Sequence, residues 1–244
     1  MRFLKRFLLA FSIIFLLPTL VSAGLWITAE RPANWSAARW TSSGMLPAAG
    51  DDHAAAVYVF SAKTGGLKGA VASHAWIVTK TKDGEYRRYD KVGWGSPIRR
   101  NHRPPDAFWY SNAPRIVAEV HGGTAEALIP RVEEAIAAYP FAMNGGYKIY
   151  PGPNSNTFVA HVLRAVPELG AVLPADAIGR DYRTDGRLYG LDADGRDFHF
   201  SLKGLAGFAV GARSGLEIHL LGLVAGIDVQ RPGIKVPALG TIGL

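Results

Sequence analysis

At 244 residues, 48% hydrophobic and 19% charged, the chain is long enough for one sizeable core, and length alone would also allow two small ones. It contains no cysteine, which excludes disulfides, thiolate metal sites, a cysteine nucleophile and a cysteine-linked lipid anchor. The net charge of +7 is scattered along the sequence without the basic stripe and interleaved aromatics of a nucleic-acid binder, so no nucleic-acid partner is expected.

Arg2, Lys5 and Arg6 precede the uncharged run FLLAFSIIFLLPTLVSAGLWI, Phe7 to Ile27. A positive start, an apolar middle and the small-residue ending Val21-Ser22-Ala23 fit an export signal cut after Ala23. At about 20 residues the run is also long enough to remain as a membrane anchor. Either reading keeps the positive end cytoplasmic and exports the chain from Glu30 onward. The expected organisation is a signal peptide or N-terminal anchor over 1–27, a linker over 28–54 and a single globular domain over 55–244. The linker holds Trp35 and Trp40, either of which could dock on the domain.

Ala55–Ala62, AAVYVFSA, has the β-branched and aromatic content of a strand. SHAWIVTKTKDGEYRRYDKVGWG comes next, with Asp83-Gly84 as the hairpin dipeptide. A two-residue turn there sets Lys82 against Glu85, Val78 against Tyr89 and His74 against Gly93. His74, Trp76, Val78, Tyr89 and Lys91 then share one face. Pro114–Gly122 reads as another strand. A helix capped by Thr124 runs to about Tyr139, with Pro130 kinking it or marking its start. After Pro151-Gly152-Pro153 a second apolar helix spans about Asn156 to Val166. The glycine-rich remainder from Gly170 is expected to supply strands or short helices closing the same core. This order of elements implies an α+β fold, an antiparallel sheet with packed helices.

YPGPNSNTFVAHV, Tyr150 to Val162, sets polar residues at a helix start, and two readings compete for them. Asn and Ser are preferred N-caps. A serine there also lies beside unpaired backbone N–H groups and the positive end of the helix dipole, a setting suited to an oxyanion. Ser155 would be the nucleophile and His74 its general base, with the Asn156 and Thr157 N–H groups binding the oxyanion. Asn154, Asn156, Thr157, Trp76, Tyr89, Trp94 and Tyr147 are the candidate substrate-binding residues. Tyr89, Asn101 and Asp106 are the candidates for the group that orients the histidine. The remaining histidines lack metal-ligand spacing, and Asp192–Asp197, DADGRD, lacks the twelfth-position Glu of a calcium loop and reads as a tight turn. No metal and no cofactor are expected.

HAWIVTK, YRRYDKVGWG, PDAFWYSNAPRIV, YPGPNSNTFVAHVLRAVPEL, LPADAIGRDY and LLGLVAGIDVQRPGIKVPALG together resemble a bacterial family known as domain of unknown function 3750, over most of the chain from about Ala55. A weaker resemblance, in HAWIV and Asn154-Ser155-Asn156-Thr157-Phe158, is to circularly permuted papain-like folds: the NlpC-type peptidases, lecithin retinol acyltransferases and PPPDE peptidases. It implies a permuted papain-like topology in which serine stands where those families carry cysteine. The expected function is a serine-dependent hydrolase or acyltransferase acting on an amide or ester in the envelope. The alternative is a non-catalytic envelope module whose Trp and Tyr residues contact glycan, peptide or lipid. The expected location is the periplasmic face of the bacterial inner membrane, reached through the N-terminal segment, or the periplasm after cleavage.

Overall fold

The computed structural model describes residues 1–94 and 98–243. It is an α+β fold with two antiparallel sheets. The first is built from β1 (Ala56–Lys63), β2 (Ser73–Lys80), β3 (Tyr86–Asp90), β4 (Arg99–Arg100) and β5 (Arg115–His121), in the order β4-β3-β2-β1-β5. β1 and β2 are buried on both faces, which is why their sequences are nearly continuous in apolar residues. On one face Val57, Val59, Ala75 and Ile77 pack against α2 (Gly122–Ala137) and α3 (Ser155–Ala165). The larger of those side chains each contribute about 1–3 kcal/mol by leaving water. On the other face Tyr58, Phe60, Trp76 and Val78 form an aromatic cluster closed by Trp109.

The linker is fastened across that second face rather than hanging free. Trp40 meets the rings of Trp109 and Tyr110 at 5.2 and 4.7 Å, and Asp106 accepts hydrogen bonds from the Met45 and Leu46 amides. Asp106 is thereby a loop anchor, not a partner of His74. α2 passes through Pro130 without interruption and starts at Gly122, before the expected Thr124 cap.

The β2–β3 register differs from the expected one by one position. The strands pair Lys80 with Tyr86, Val78 with Arg88 and Ile77 with Tyr89. The turn closes from the Gly84 N–H to the Thr81 carbonyl, and Asp83, not Gly84, adopts positive φ. The connecting loop is therefore 81–85, an odd length. Because side chains alternate with period two, that single step exchanges faces. Tyr89 goes to the helix side, where its hydroxyl donates to Glu133, and Arg88 and Asp90 come round to the side of His74 and Trp76. Asn101 stays nearby but accepts from the Arg88 amide and serves the backbone.

The second sheet is a meander of β6 (Tyr189–Leu191), β7 (Asp197–Ser201), β8 (Ala206–Gly211), β9 (Gly215–Leu220), β10 (Leu223–Asp228), β11 (Gly233–Val236) and β12 (Gly240–Gly243), each pairing with the next. The C-terminal part does supply strands, but they meet the body through charge. Glu217 accepts from Arg180, His219 and Lys235, while Arg213 pairs with Asp192, Asp194 and Asp197. Apart from Asp194, these groups are buried on the inner face. DADGRD forms the β6–β7 turn, and its carboxylates are occupied by Arg213.

At the N-terminus α1 (Arg2–Thr28) is a continuous helix with one wider turn at Ser12–Leu16. It is long and apolar enough to cross a membrane and compatible with either a signal peptide or an anchor. One stripe, Phe15, Thr19, Ser22 and Trp26, turns toward the body. The Ser22 hydroxyl donates to the Ala70 carbonyl, and the Trp26 indole donates to the Gly66 carbonyl.

Candidate active site

His74 lies near the start of β2, opposite Ala62 of β1 and beyond the last residue that β2 pairs with β3. Its Nε2 is 2.9 Å from Asp90 Oδ1. Arg88, two residues earlier on the same strand face, clamps both oxygens of that carboxylate from its own Nε and Nη2 at 2.6 and 2.9 Å. The guanidinium also donates to the Pro104 carbonyl and lies 4.1 Å from the centre of the Trp76 ring. All three charged or ionisable groups are buried. The imidazole is held from the side by Trp109, whose ring stacks on it at 3.7 Å and 6°.

The electrostatics are set by that arrangement. Burial pushes the Asp90 carboxyl up, but the Arg88 charge and the hydrogen bonds from His74 and Arg88 outweigh it and hold Asp90 ionised, well below the carboxylate range. Burial pushes His74 below its usual value, against the opposing pull of Asp90. His74 is therefore neutral near pH 7. An ionised carboxylate can only accept, so Nε2 carries the ring proton and Nδ1 carries the lone pair of a base.

The capping expected at the helix start falls on Asn154 and Thr157. Asn154 is the N-cap: its side-chain oxygen accepts from the Asn156 and Thr157 amides at 2.9 and 3.1 Å, while Thr157 Oγ1 accepts from the Asn154 amide. Asn154 Nδ2 donates to the Ile149 and Ile178 carbonyls. Gly179 makes room for this cap, because a Cβ there would stand 2.4 Å from Asn154 Nδ2, and its φ of +92° suits glycine alone. Capping thus accounts for Asn154 and Thr157 and leaves the Ser155 hydroxyl without a capping role. It also takes the two amides expected to bind an oxyanion, so that expectation is corrected: neither the Asn156 nor the Thr157 N–H is free.

Asn156 is a tie between elements. Its Nδ2 donates to the Ser73 carbonyl at 2.9 Å and to Ile178 at 2.9 Å, so the residue after Ser155 is bonded to the residue before His74. Ser155 and His74 line one cavity of about 550 Å³, with Trp94, Trp109, Tyr147 and Tyr150 among its walls. Burial pushes the Tyr147 hydroxyl up, with Ser155, on the same cavity, opposing the shift.

Of the residues expected in the site, the fold gathers His74, Ser155, Asn154, Asn156, Trp94 and Tyr147 around this cavity. It does not gather the other three. Trp76 is fully buried, its indole donating to the Pro105 carbonyl. Tyr89 is on the opposite face of the sheet. Thr157 is fully buried and its hydroxyl donates to the Gly179 carbonyl. Sequence reasoning missed Asp90, Arg88 and Trp109. The available signal was YRRYD, in which an Arg and an Asp two apart share a strand face, but the assumed turn put them on the wrong one. Among the described residues no group of His, Asp and Glu is arranged to hold a metal ion.

A family profile described as "Protein of unknown function (DUF3750)" matches residues 54–182. That span contains the first sheet, α2, α3 and every residue of the cavity named above, and it ends before the second sheet begins. No curated protein and no solved structure matches the chain.

Proposed function

The chain belongs to the DUF3750 family, and for this member we propose a serine-dependent hydrolase or acyltransferase acting on an amide or ester. The observation that carries the reading is the His74–Asp90 hydrogen bond on a cavity that Ser155 also lines. A serine hydroxyl has no accessible anion near neutral pH, so it needs a neutral base of fixed tautomer, which Asp90 and its Arg88 clamp provide for His74.

In the proposed reaction Ser155 Oγ attacks the carbonyl carbon as its proton passes to His74 Nδ1. The imidazolium formed is stabilised by the Asp90 carboxylate. It then gives the proton to the departing amine or alcohol, leaving an acyl-serine. Water, or a second nucleophile in a transferase, releases the acyl group with the same histidine as base. With the Asn156 and Thr157 amides engaged, the oxyanion donor is assigned to the Ser155 N–H, at the first helical position, with the Tyr147 hydroxyl on the same cavity as a second. Trp94 and Tyr150, about half exposed at the cavity wall, would flank the substrate. With α1 as signal or anchor, the substrate would be a component of the cell envelope.

A fluorophosphonate probe tests the reading. Labelling of the wild type that disappears in Ser155→Ala and in His74→Gln is expected. Labelling indifferent to both, or none from about pH 6 to 9 with the fold intact, would instead make the cavity a non-catalytic site for glycan, peptide or lipid.

A further inference from the structure

We propose that the outer face of the seven-stranded sheet is a lipid-contacting surface, seated against the acyl chains of the bilayer beside α1. The sheet is built the wrong way round for water. Its inner face carries the buried ionisable groups Asp197, His199, Glu217, His219 and Lys235. Its outer face carries an unbroken cross-strand row in which Leu191, Phe198, Val210, Leu216, Ile227, Ile234 and Ile242 are neighbours in turn. A parallel row runs Tyr189, Phe200, Phe208, Ile218, Ala225. Most of these side chains are exposed, Leu191, Phe208, Val210, Leu216, Ile218, Ile227, Ile234 and Ile242 each by 42–60%. No charged residue interrupts either row. Soluble monomers rarely expose a contiguous apolar patch beyond a few hundred Å², and here the exposed apolar row runs across all seven strands.

The occupant is argued from α1. Its wider turn at Ser12–Leu16 packs against β10, and Ser22 reaches the Ala70 and Ala238 carbonyls, the latter between β11 and β12. The helix thus runs beside the sheet along the middle of its own apolar length, at about 1.5 Å per residue. Its far side, with Ile13, Leu17, Leu20 and Leu25, is as exposed and apolar as the sheet face. A helix composed for hydrocarbon, packed on β10, carries the sheet face to the same depth. Exposed Lys203 and Arg231, in turns at opposite ends of the sheet, are placed to meet anionic headgroups. The edge strands β6 and β12 span only 3 and 4 residues, which limits the unpaired backbone brought to the membrane. The inference is independent of the chemistry proposed for the cavity.

The absence of cysteine permits a direct test on the full chain. Val210→Cys, Ile218→Cys and Ile234→Cys are spin-labelled singly in vesicles of phosphatidylethanolamine and phosphatidylglycerol. Leu20→Cys on α1 serves as the lipid reference and Glu126→Cys on α2 as the water reference. The expected result is that the three sheet labels match Leu20→Cys, with molecular oxygen far more accessible than a water-soluble nickel complex. Nickel accessibility equal to that of Glu126→Cys would overturn the proposal, since the face would then meet water. So would dipolar broadening that vanishes on dilution with unlabelled protein, because a second copy would then cover the face. Three separate positions keep the test decisive if one variant misfolds, which the thermal transition of each reports.

Discussion

Replacing Asp90 by asparagine isolates the carboxylate charge while keeping the side-chain shape. In the native protein Arg88, fully buried, has that carboxylate as its only counter-ion among the described residues, held through two hydrogen bonds. Asp90→Asn leaves the guanidinium with the Pro104 carbonyl and the Trp76 ring face as its remaining partners. Removing one member of a buried ion pair costs about 3–5 kcal/mol because the other charge is stranded. The retained carbonyl and ring argue for the lower end, about 3 kcal/mol. For a domain of this size that is a fall in Tm of about 6–12 °C. The assay is thermal unfolding of the full chain in detergent, monitored by tryptophan fluorescence, to which Trp76 and Trp109 beside the pair contribute. The double variant Arg88→Met/Asp90→Asn removes the stranded charge and should recover most of the loss. A fall under about 2 °C for Asp90→Asn, or a double variant no more stable than the single one, would refute the claim that this ion pair is buried and unscreened. The same substitution no longer forces the proton onto His74 Nε2, so fluorophosphonate labelling should drop with it.

Acid should destabilise the protein in two steps at this site. His74, depressed in the fold, contributes stability that is present above its usual 6.5 and lost below it, as the unfolded chain takes up a proton the native one refuses. Asp90, also depressed, contributes stability that is fully present above its usual value of 3.8 and is lost progressively as pH falls from there toward its lower value in the fold. The difference in Tm between wild type and His74→Gln, measured from about pH 8 to 4, should therefore shrink or reverse below about pH 6.5; a difference constant across that range would contradict a buried neutral histidine. At the helix start, Asn154→Ala should cost about 2 kcal/mol, because it frees two buried amides, and Ser155→Ala less than about 1 kcal/mol. Equal losses in urea unfolding would mean that Ser155 has a structural role its position does not reveal.

The positions of β1, β5, α2 and α3 were legible in the sequence to within a few residues, because apolar periodicity and turn residues act locally. The α+β class came from their order. So did the apolar character of α1 come from composition and length. Asn154–Thr157 announced a helix start but not which residue caps it. The division of labour between Asn154 and Ser155 depends on Gly179 and the Ile178 carbonyl, far along the chain.

What only the tertiary structure decided was pairing at a distance. The orienting partner of His74 was hidden by a parity choice in the β2–β3 loop. Asp83 takes the positive φ there while its amide donates to the His53 carbonyl and its carboxylate meets the His53 ring, a contact from a segment 30 residues away. The dipeptide Asp83-Gly84 is compatible with more than one loop length, and each change of one residue turns every side chain over. Likewise the amide of Asn156 on the Ser73 carbonyl, 83 residues apart in sequence, ties the start of α3 to the start of β2, so that Ser155 and His74 line one cavity. In the second sheet the alternation of charged and apolar residues was visible in LEIHLLG and DFHFS, but alternation does not say which side faces the body. That was settled by Arg180, supplied by the connection after α3, which turns Glu217 and His219 inward and leaves the apolar side out.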